Sequence, residues 1–310
     1  MNKDIYDVVI VGGGPSGLSC GIYTSRSLLK TLIISSSIIP AQAVLTDIIE
    51  NYPGFVEGIN GFDFVEKLKQ QATKFGCEII SGDVVNIIKN DGFELKLTNS
   101  EVESVKTKAV VVATGRRNKN LGLQKELSLV GKGVSYCAVC DAFLYKDKTV
   151  ALIGGGDTAF TEAIYISKLV RKLYLVHRRK QFRATKILQQ RLFEKDNVEI
   201  LVPYVVENIL GEERLLGIMI KNVETNEIKQ LQCDGVFVCI GYLPNTEFVR
   251  NLLTVDTEGY IITDENMRTS IDGIFACGDC RSGSVKQVIT SAAEGVISAL
   301  SVIEFIEKNK

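Results

Sequence analysis

Two glycine-rich turns, each set between an apolar β-branched run and a helix-like stretch, constrain this chain more than any other feature. The first is Gly12-Gly13-Gly14-Pro15-Ser16-Gly17, preceded by Tyr6 to Val11 and followed by Leu18 to Leu29 and then Thr31 to Ile34. A β-branched run bounded by glycine reads as a buried parallel strand, so the segment is a βαβ unit. In such a unit the first glycine permits the tight turn and the second lets backbone N–H groups approach a pyrophosphate. The third lets helix and strand pack closely, and the helix N-terminus faces the anion. Gly12, Gly14, Pro15, Ser16 and Gly17 are therefore the expected phosphate cradle. A GxGxxG match alone is weak evidence; its strand–turn–helix–strand setting gives it weight.

The second turn repeats the plan. Gly154-Gly155-Gly156-Asp157-Thr158-Ala159 lies between Thr149 to Ile153 and Thr161 to Leu169, and Leu173 to Val176 completes the unit. It assigns Gly154, Gly156, Asp157, Thr158 and Ala159 to a second dinucleotide. Between the turns, Phe64, Val65, Leu68, Ala72 and Phe75 recur at helical spacing, and Phe93, Leu95 and Leu97 alternate after Asn90-Asp91-Gly92, a hairpin signal. The first half closes on Ala109 to Ala113 and Thr114-Gly115. The second half echoes it with Leu216, Ile218 and Ile220, a Thr225-Asn226 turn, and Val236 to Ile240 ending at Gly241. The expected fold is α/β, with two tandem Rossmann-like dinucleotide-binding domains, each with a small antiparallel β layer. The tail runs through Pro244-Asn245 and Gly278-Asp279 to a helix from Val285 to about Glu307. It is expected to return to the first fold, so that the second domain is an insertion: 1–116 with 245–310 form one domain and 117–244 the other. A length of 310 residues suits two domains, at about 150 residues each.

Composition removes several function classes. Lys+Arg 36 against Asp+Glu 37 leaves a net charge of −1, no field for gripping a phosphate backbone, so nucleic acid is not the expected partner. The apolar run at Val8 to Val11 is too short for a signal-peptide core, and no stretch reads as the ~18 apolar residues of a membrane helix. A cytoplasmic protein is expected. Eight cysteines are too sparse for a secreted disulfide scaffold.

The end of the second strand of each fold reads the ribose: a carboxylate suits the 2′-OH of NAD, and cationic groups suit a 2′-phosphate. About 20 residues past Gly156 stand His177-Arg178-Arg179, then Arg183. No acid occupies the place, and guanidiniums pair bidentately with phosphate, so the second fold is expected to take NADPH. The first fold ends its strand at Ser35-Ser36-Ser37. It holds a different dinucleotide or binds one by hydroxyl and backbone contacts; FAD beside NADPH makes chemical sense of two such folds in one chain.

Cys137-Ala138-Val139-Cys140-Asp141 precedes the second fold at the head of a short helix through Ala142 and Phe143. Two residues between the cysteines let both sulfurs meet at a helix start, where thiol pKa falls and a disulfide becomes reducible. Asp141 adjoins a thiolate that must be protonated when it leaves, and the only histidine belongs to the phosphate cluster, so Asp141 is the expected general acid. Cys277-Gly278-Asp279-Cys280 is a second CxxC. Four such thiols could hold zinc, but this pair straddles a Gly-Asp assigned to the flavin; Cys277 and Cys280 read as incidental small residues, and no metal is expected. Cys20, Cys77, Cys233 and Cys239 read as core or strand positions.

These motifs, with Glu50-Asn51-Tyr52-Pro53-Gly54 and Ala113-Thr114-Gly115, carry a resemblance to the low-molecular-weight thioredoxin reductases over nearly the whole chain. The resemblance implies FAD in the first domain, NADPH in the inserted one, a homodimer, and thioredoxin or a thioredoxin-like protein as disulfide substrate. It implies that electrons pass from NADPH through FAD to the Cys137–Cys140 disulfide, that Cys140 faces the flavin and that Cys137 attacks the partner. It places Ser35, Gln42, Asn51, Ala113, Thr114, Gly115, Gly278, Asp279, Lys286 and Gln287 with Gly12 to Gly17 at FAD. Ile240 and Gly241 join the NADPH set. Where the family has Gly-Gly-Gln-Leu this chain has Pro40-Ala41-Gln42-Ala43, and Lys286-Gln287 replaces Arg-Gln. The lost glycines predict a loop that approaches the cofactor less closely. A disulfide and a nicotinamide cannot share one flavin face, so the resemblance implies domain rotation, with hinges expected at Gly115 to Asn118 and Gly241 to Asn245. Relatives of this fold that take electrons from ferredoxin lack the NADPH motifs, which are intact here. A zinc-stabilised nucleotide sensor is the alternative of another class; a peroxide-linked reductase would carry further N-terminal domains, which are not expected here because the first strand is entered at Tyr6.

Overall fold

The computed structural model describes residues 5–36, 41–46 and 48–309. Ser37 and Pro40 lie outside the described residues. The chain forms two compact units, Met1–Arg117 with Leu243–Lys310, and Asn118–Tyr242.

The first unit is built on Tyr6–Val11, which pairs in parallel with Thr31–Ser35 on one side and with Ser104–Val112 on the other. Both faces of these strands are covered. Val8, Ile10, Ile33 and Val111 pack on one side; Val9, Val11, Leu32 and Val110 pack on the other. This explains near-continuous apolar runs in place of alternation. Helix α1, Pro15–Arg26, begins directly out of the glycine turn with Pro15 in its first positions, three residues earlier than the apolar pattern indicates. Proline's fixed φ suits that place. The helix stops near Leu28, whose φ is 60°. Helix α2, Gly61–Lys74, is capped by the Asn60 side chain, which accepts from the N–H groups of Phe62 and Asp63.

The antiparallel layer expected in each half takes two forms. Strand Ser104–Val112 pairs antiparallel with Gly92–Thr98 through residues 104–107 and parallel with Tyr6–Val11 through residues 107–112. The hairpin Asp83–Asn90 and Gly92–Thr98 is thus continuous with the main sheet of the first unit. In the second unit the layer is a separate three-stranded sheet of Tyr204–Leu210, Gly217–Asn222 and Ile228–Leu231.

The chain enters the second unit after Arg117. Its main sheet is parallel throughout, in the order Val134–Ser135, Gly235–Cys239, Thr149–Gly154, Lys172–Val176, Val198–Leu201. Helices α3 (Ala138–Asp141), α4 (Asp157–Ser167) and α5 (Lys186–Phe193) belong to this unit. Phe160 and Phe237 are fully buried in its core, each contributing about 1.5–3 kcal/mol relative to exposure.

After Tyr242 the chain returns to the first unit, where Ile274–Ala276 adds in parallel to Val110–Val112. Helix α6, Val288–Lys308, packs on α1 so closely that a Cβ at Gly295 would collide with the Ser16 carbonyl. Its start at Val288 rather than Val285 has a local cause. Gln287 is the N-cap of a reciprocal capping box with Thr290, and Val285 is exposed. Helix α6 also corrects the expectation that nothing in the chain reaches membrane-spanning length. By length and composition it is apolar enough to cross a bilayer, yet half of it is buried inside the protein. Ala292, Ala299, Val302 and Ile306 are buried, while Ile289, Ile297 and Leu300 remain exposed.

Candidate functional site

The first glycine turn sits where the parallel strands end. A Cβ on Gly12, whose φ is +123°, would collide with the Ala113 carbonyl, and one on Gly13 would lie 2.5 Å from Ser35 Oγ. At Gly14 the situation reverses: a Cβ there would meet only the Ala41 methyl, at 3.8 Å, and no side chain caps the start of α1. Protein thus closes two sides of the turn and leaves the helix start open, which fits a dinucleotide pyrophosphate.

Five of the other residues assigned to FAD lie at the same strand ends. Ala113, Thr114 and Gly115 follow Ser104–Val112, while Gly278 and Asp279 follow Ile274–Ala276. A Cβ on Gly278 would lie 2.5 Å from Ser16 Oγ. Asp279 is held by Arg116 Nε at 2.9 Å and by Ser291 Oγ at 2.9 Å. Asn51, far away in sequence, donates from Nδ2 to Gln287 Oε1 at 3.0 Å. Gln42 opens a 3-10 turn, Gln42–Leu45. Lys286 has a φ of 63° and sets its ammonium 3.9 Å from the Tyr260 ring centroid, a cation–π contact.

The second turn shows the same closed and open pattern. A Cβ on Gly154 would lie 2.5 Å from the Cys239 carbonyl and 2.6 Å from Ala159 Cβ, while Gly156 has nothing within 4 Å and caps α4 without a side-chain bond. Asp157 Oδ1 accepts the Thr185 N–H at 2.7 Å, and Arg183 donates its N–H to the Gly155 carbonyl at 2.8 Å, tying the arginine segment to the turn. Thr158 Oγ1 accepts from the Tyr242 hydroxyl at 3.3 Å. Arg178, Arg179 and Arg183 are exposed. The His177 ring lies by Phe182, its Nε2 is buried without a hydrogen-bond partner, and burial lowers its pKa with help from the three arginine charges. A neutral imidazole with an unused nitrogen beside free guanidiniums fits a phosphorylated ribose. Ile240 and Gly241 follow Gly235–Cys239, and Gly241 has a φ of +114°.

The second unit also holds a disulfide between Cys137 and Cys140. Helix α3 is only four residues long, Ala138–Asp141, and a 3-10 turn, Ala142–Tyr145, continues it. One hydrogen bond belongs to the pair itself, from the Cys140 N–H to Cys137 Sγ at 3.1 Å. Cys140 is exposed and Cys137 half-buried. Asp141 Oδ2 accepts from Ser135 Oγ at 2.6 Å. Tyr136, next to Cys137, is held from both ends: its hydroxyl donates to Glu126 Oε1 at 2.6 Å, and its carbonyl accepts from Asn118 Nδ2 at 3.1 Å. Glu126, 1% exposed, also accepts the N–H groups of Leu121, Gly122 and Leu123.

The remaining six cysteines are thiols, five of them buried. Cys277 and Cys280 are fully buried in the first unit; Cys280 Sγ donates to the carbonyls of Val112 and Cys277, and burial pushes its thiol up to about 11. Among the described residues no group of three or more His, Cys, Asp or Glu side chains is arranged to hold a metal ion.

Residues 6–295 match the family model described as pyridine nucleotide-disulphide oxidoreductase. The thioredoxin reductase of Bacillus subtilis is 40% identical over 307 residues, covering 99% of this chain and 96% of that protein. That of Peptoclostridium acidaminophilum is 37% identical over 313 residues, 99% of each. The chain belongs to the thioredoxin reductase family. The crystal structure of Lactococcus lactis thioredoxin reductase aligns with a TM-score of 0.93 at 35% identity, covering 98% of this chain and 99% of that one. Thioredoxin reductases are flavin-dependent pyridine nucleotide-disulfide oxidoreductases that use FAD and NADPH. The fold matches thioredoxin reductases with two dinucleotide-binding domains, and the Cys137–Cys140 disulfide is the redox-active pair.

Two side chains at these sites escaped the sequence reading. Ser135 touches both Cys137 and Asp141. Glu294, 6% exposed, accepts the Gly278 N–H at 2.7 Å and pairs with Arg281 at 2.9 Å. Glu294 had a visible signal: it is the one acid between Val288 and Ile303 in an otherwise apolar and small-residue helix.

Proposed function

We propose that this chain transfers electrons from NADPH through FAD to its Cys137–Cys140 pair and from there to the disulfide of thioredoxin or a thioredoxin-like protein. The single observation that carries the reading is the disulfide itself, with a carboxylate fixed beside it and an arginine-bearing dinucleotide turn in the same unit.

Bound FAD and NADPH supply hydride and electron-pair transfer, which no side chain can perform. In this reading Gly12, Gly14, Pro15, Ser16 and Gly17 offer the first-unit helix start to the pyrophosphate. Ser35, Gln42, Asn51, Ala113, Thr114, Gly115, Gly278, Asp279, Lys286 and Gln287 hold the rest of FAD. Gly154, Gly156, Asp157, Thr158, Ala159, Ile240 and Gly241 shape the second site, where Arg178, Arg179 and Arg183 neutralise the 2′-phosphate beside His177. Cys140 is the flavin-side sulfur and Cys137 attacks the partner disulfide. Asp141 gives a proton to the thiolate that departs. The unit of residues 1–116 with 245–310 is the FAD domain and 117–244 the NADPH domain. A homodimer goes with this reading, and six unpaired cysteines suit a reducing cytoplasm.

Stopped-flow mixing with NADPH tests it. Cys137→Ser and Cys140→Ser should each keep reduction of the bound flavin and lose turnover with thioredoxin. Full disulfide reduction by either variant would sink the assignment.

A further inference from the structure

Val134–Ser135 is a strand of the second unit's parallel sheet, with Ser135 opposite Phe237. The redox loop therefore follows a short edge strand, and Ser135 is the last sheet residue before it. Its side chain is 2% exposed and makes three contacts. Oγ accepts the Cys137 N–H at 3.1 Å, approaches Asp141 Oδ2 at 2.6 Å and lies 3.2 Å from the Cys137 carbonyl. A serine hydroxyl has one proton to donate and two lone pairs. The Asp141 carboxylate and the Cys137 carbonyl thus compete for one proton, and the shorter, charge-assisted bond to the carboxylate takes it.

We propose that Ser135 is a positioning residue for disulfide exchange, holding the Cys137 backbone and the Asp141 carboxyl in register through both protonation states of Asp141. The proposal rests on the reading of Cys137 and Cys140 as the redox pair. The Cys137 thiolate attacks one sulfur of the partner disulfide. A Cys137–partner bond forms, the partner S–S bond breaks, and its departing thiolate takes the proton that Asp141 received from the Cys137 thiol. Asp141 regains a proton from the Cys140 thiol; the Cys140 thiolate then attacks Cys137 Sγ, restoring the Cys137–Cys140 bond and expelling the second partner thiolate, which takes that proton. The dithiol of this chain is oxidised by two electrons and the partner disulfide is reduced by two. Asp141 is ionised in one part of this cycle and protonated in another. While it is ionised, Ser135 donates to it. Once it carries a proton, the Ser135 hydroxyl turns its own proton to the Cys137 carbonyl and accepts from the acid. An alanine can do neither, and a threonine can do both.

The test is a double-mutant cycle in the full-length protein carrying its cofactors. Ser135→Ala should lower kcat for a protein disulfide about tenfold, a fraction of what a general acid contributes. Flavin reduction by NADPH and the KM for NADPH should stay within about twofold, since neither depends on the exchange geometry. Ser135→Thr should recover most of the rate. In an Asp141→Asn background the same Ser135→Ala change should cost no more than about twofold, because a residue acting through another is non-additive with it. Equal losses in both backgrounds, a normal rate in Ser135→Ala, or a threonine variant as slow as the alanine one would each overturn the proposal. Cys137→Ser run in parallel separates the two claims. If it keeps turnover, the redox-pair reading falls; if it is dead while the cycle is additive, only Ser135 falls.

Discussion

The imidazole of His177 fills the space that a side chain on Gly155 would need: a Cβ there would lie 2.6 Å from Nε2 and closer still to Cε1 and Nδ1. Ring and turn are thereby locked at one spacing. Gly155→Ala should push His177 off the glycine turn, and overpacking of this kind costs about 1–3 kcal/mol. We expect that cost in NADPH binding. Calorimetric titration should show weaker NADPH affinity with normal flavin content; unchanged affinity would mean that the ring does not border the nucleotide.

Arg178, Arg179 and Arg183 are exposed, and Arg183 is tied through its backbone to Gly155. Replacing all three with glutamine should erase most of the preference for NADPH over NADH. A hydrogen bond to a charged group is worth about 1.5–3 kcal/mol, so kcat/KM for NADPH should fall by roughly one to two orders of magnitude for each bond lost while NADH changes little. The wild-type preference should also shrink as salt rises.

Glu294 sits at the base of the loop assigned to FAD, with one oxygen on the Gly278 N–H and the other on Arg281. Glu294→Ala removes the carboxylate partner of the half-buried Arg281 and leaves the buried Gly278 N–H unsatisfied, a loss of about 1–3 kcal/mol. The thermal midpoint should drop by several degrees, and flavin fluorescence should rise as FAD is released. Glu294→Gln keeps an acceptor for Gly278 and should retain more FAD than the alanine variant.

Glu162, on α4, accepts a hydrogen bond from Cys239 Sγ at 2.7 Å, and burial pushes its carboxyl up to about 7 despite that bond. Folding then favours the protonated acid. The contribution is fully present below the ordinary carboxylate range near pH 4.5 and is lost as pH rises through about 7. Urea melts of the wild type should show stability declining across that window, and Glu162→Gln should flatten the decline by about 3 kcal/mol. A slope that persists in the glutamine variant would assign it to other groups.

How much of this was legible in the sequence depends on the range of the interaction. The glycine turns, the buried strands from Tyr6 and Thr149 and the CxxC pair are local patterns in which residue type dictates backbone geometry, so they could be read directly. The split role of Ser104–Val112 could not, because whether Thr107 begins a parallel or ends an antiparallel pairing depends on strands far away in sequence. Asn51 meeting Gln287 is of the same kind. Ser135 was hidden for another reason. Its function lies in where one hydroxyl points, and no periodicity records that. The short α3 also weakens the argument from a helix dipole at Cys137, leaving local hydrogen bonds to do the orienting.

Ile274–Ala276, the parallel neighbour of Val110–Val112, is separated from it by the whole of the second unit. On the ribosome the inserted unit therefore emerges complete while the earlier sheet still lacks a strand and its long covering helix. Vectorial synthesis gives the insert the first chance to close, and the outer fold must keep its exposed β edge from foreign pairing until the last seventy or so residues arrive.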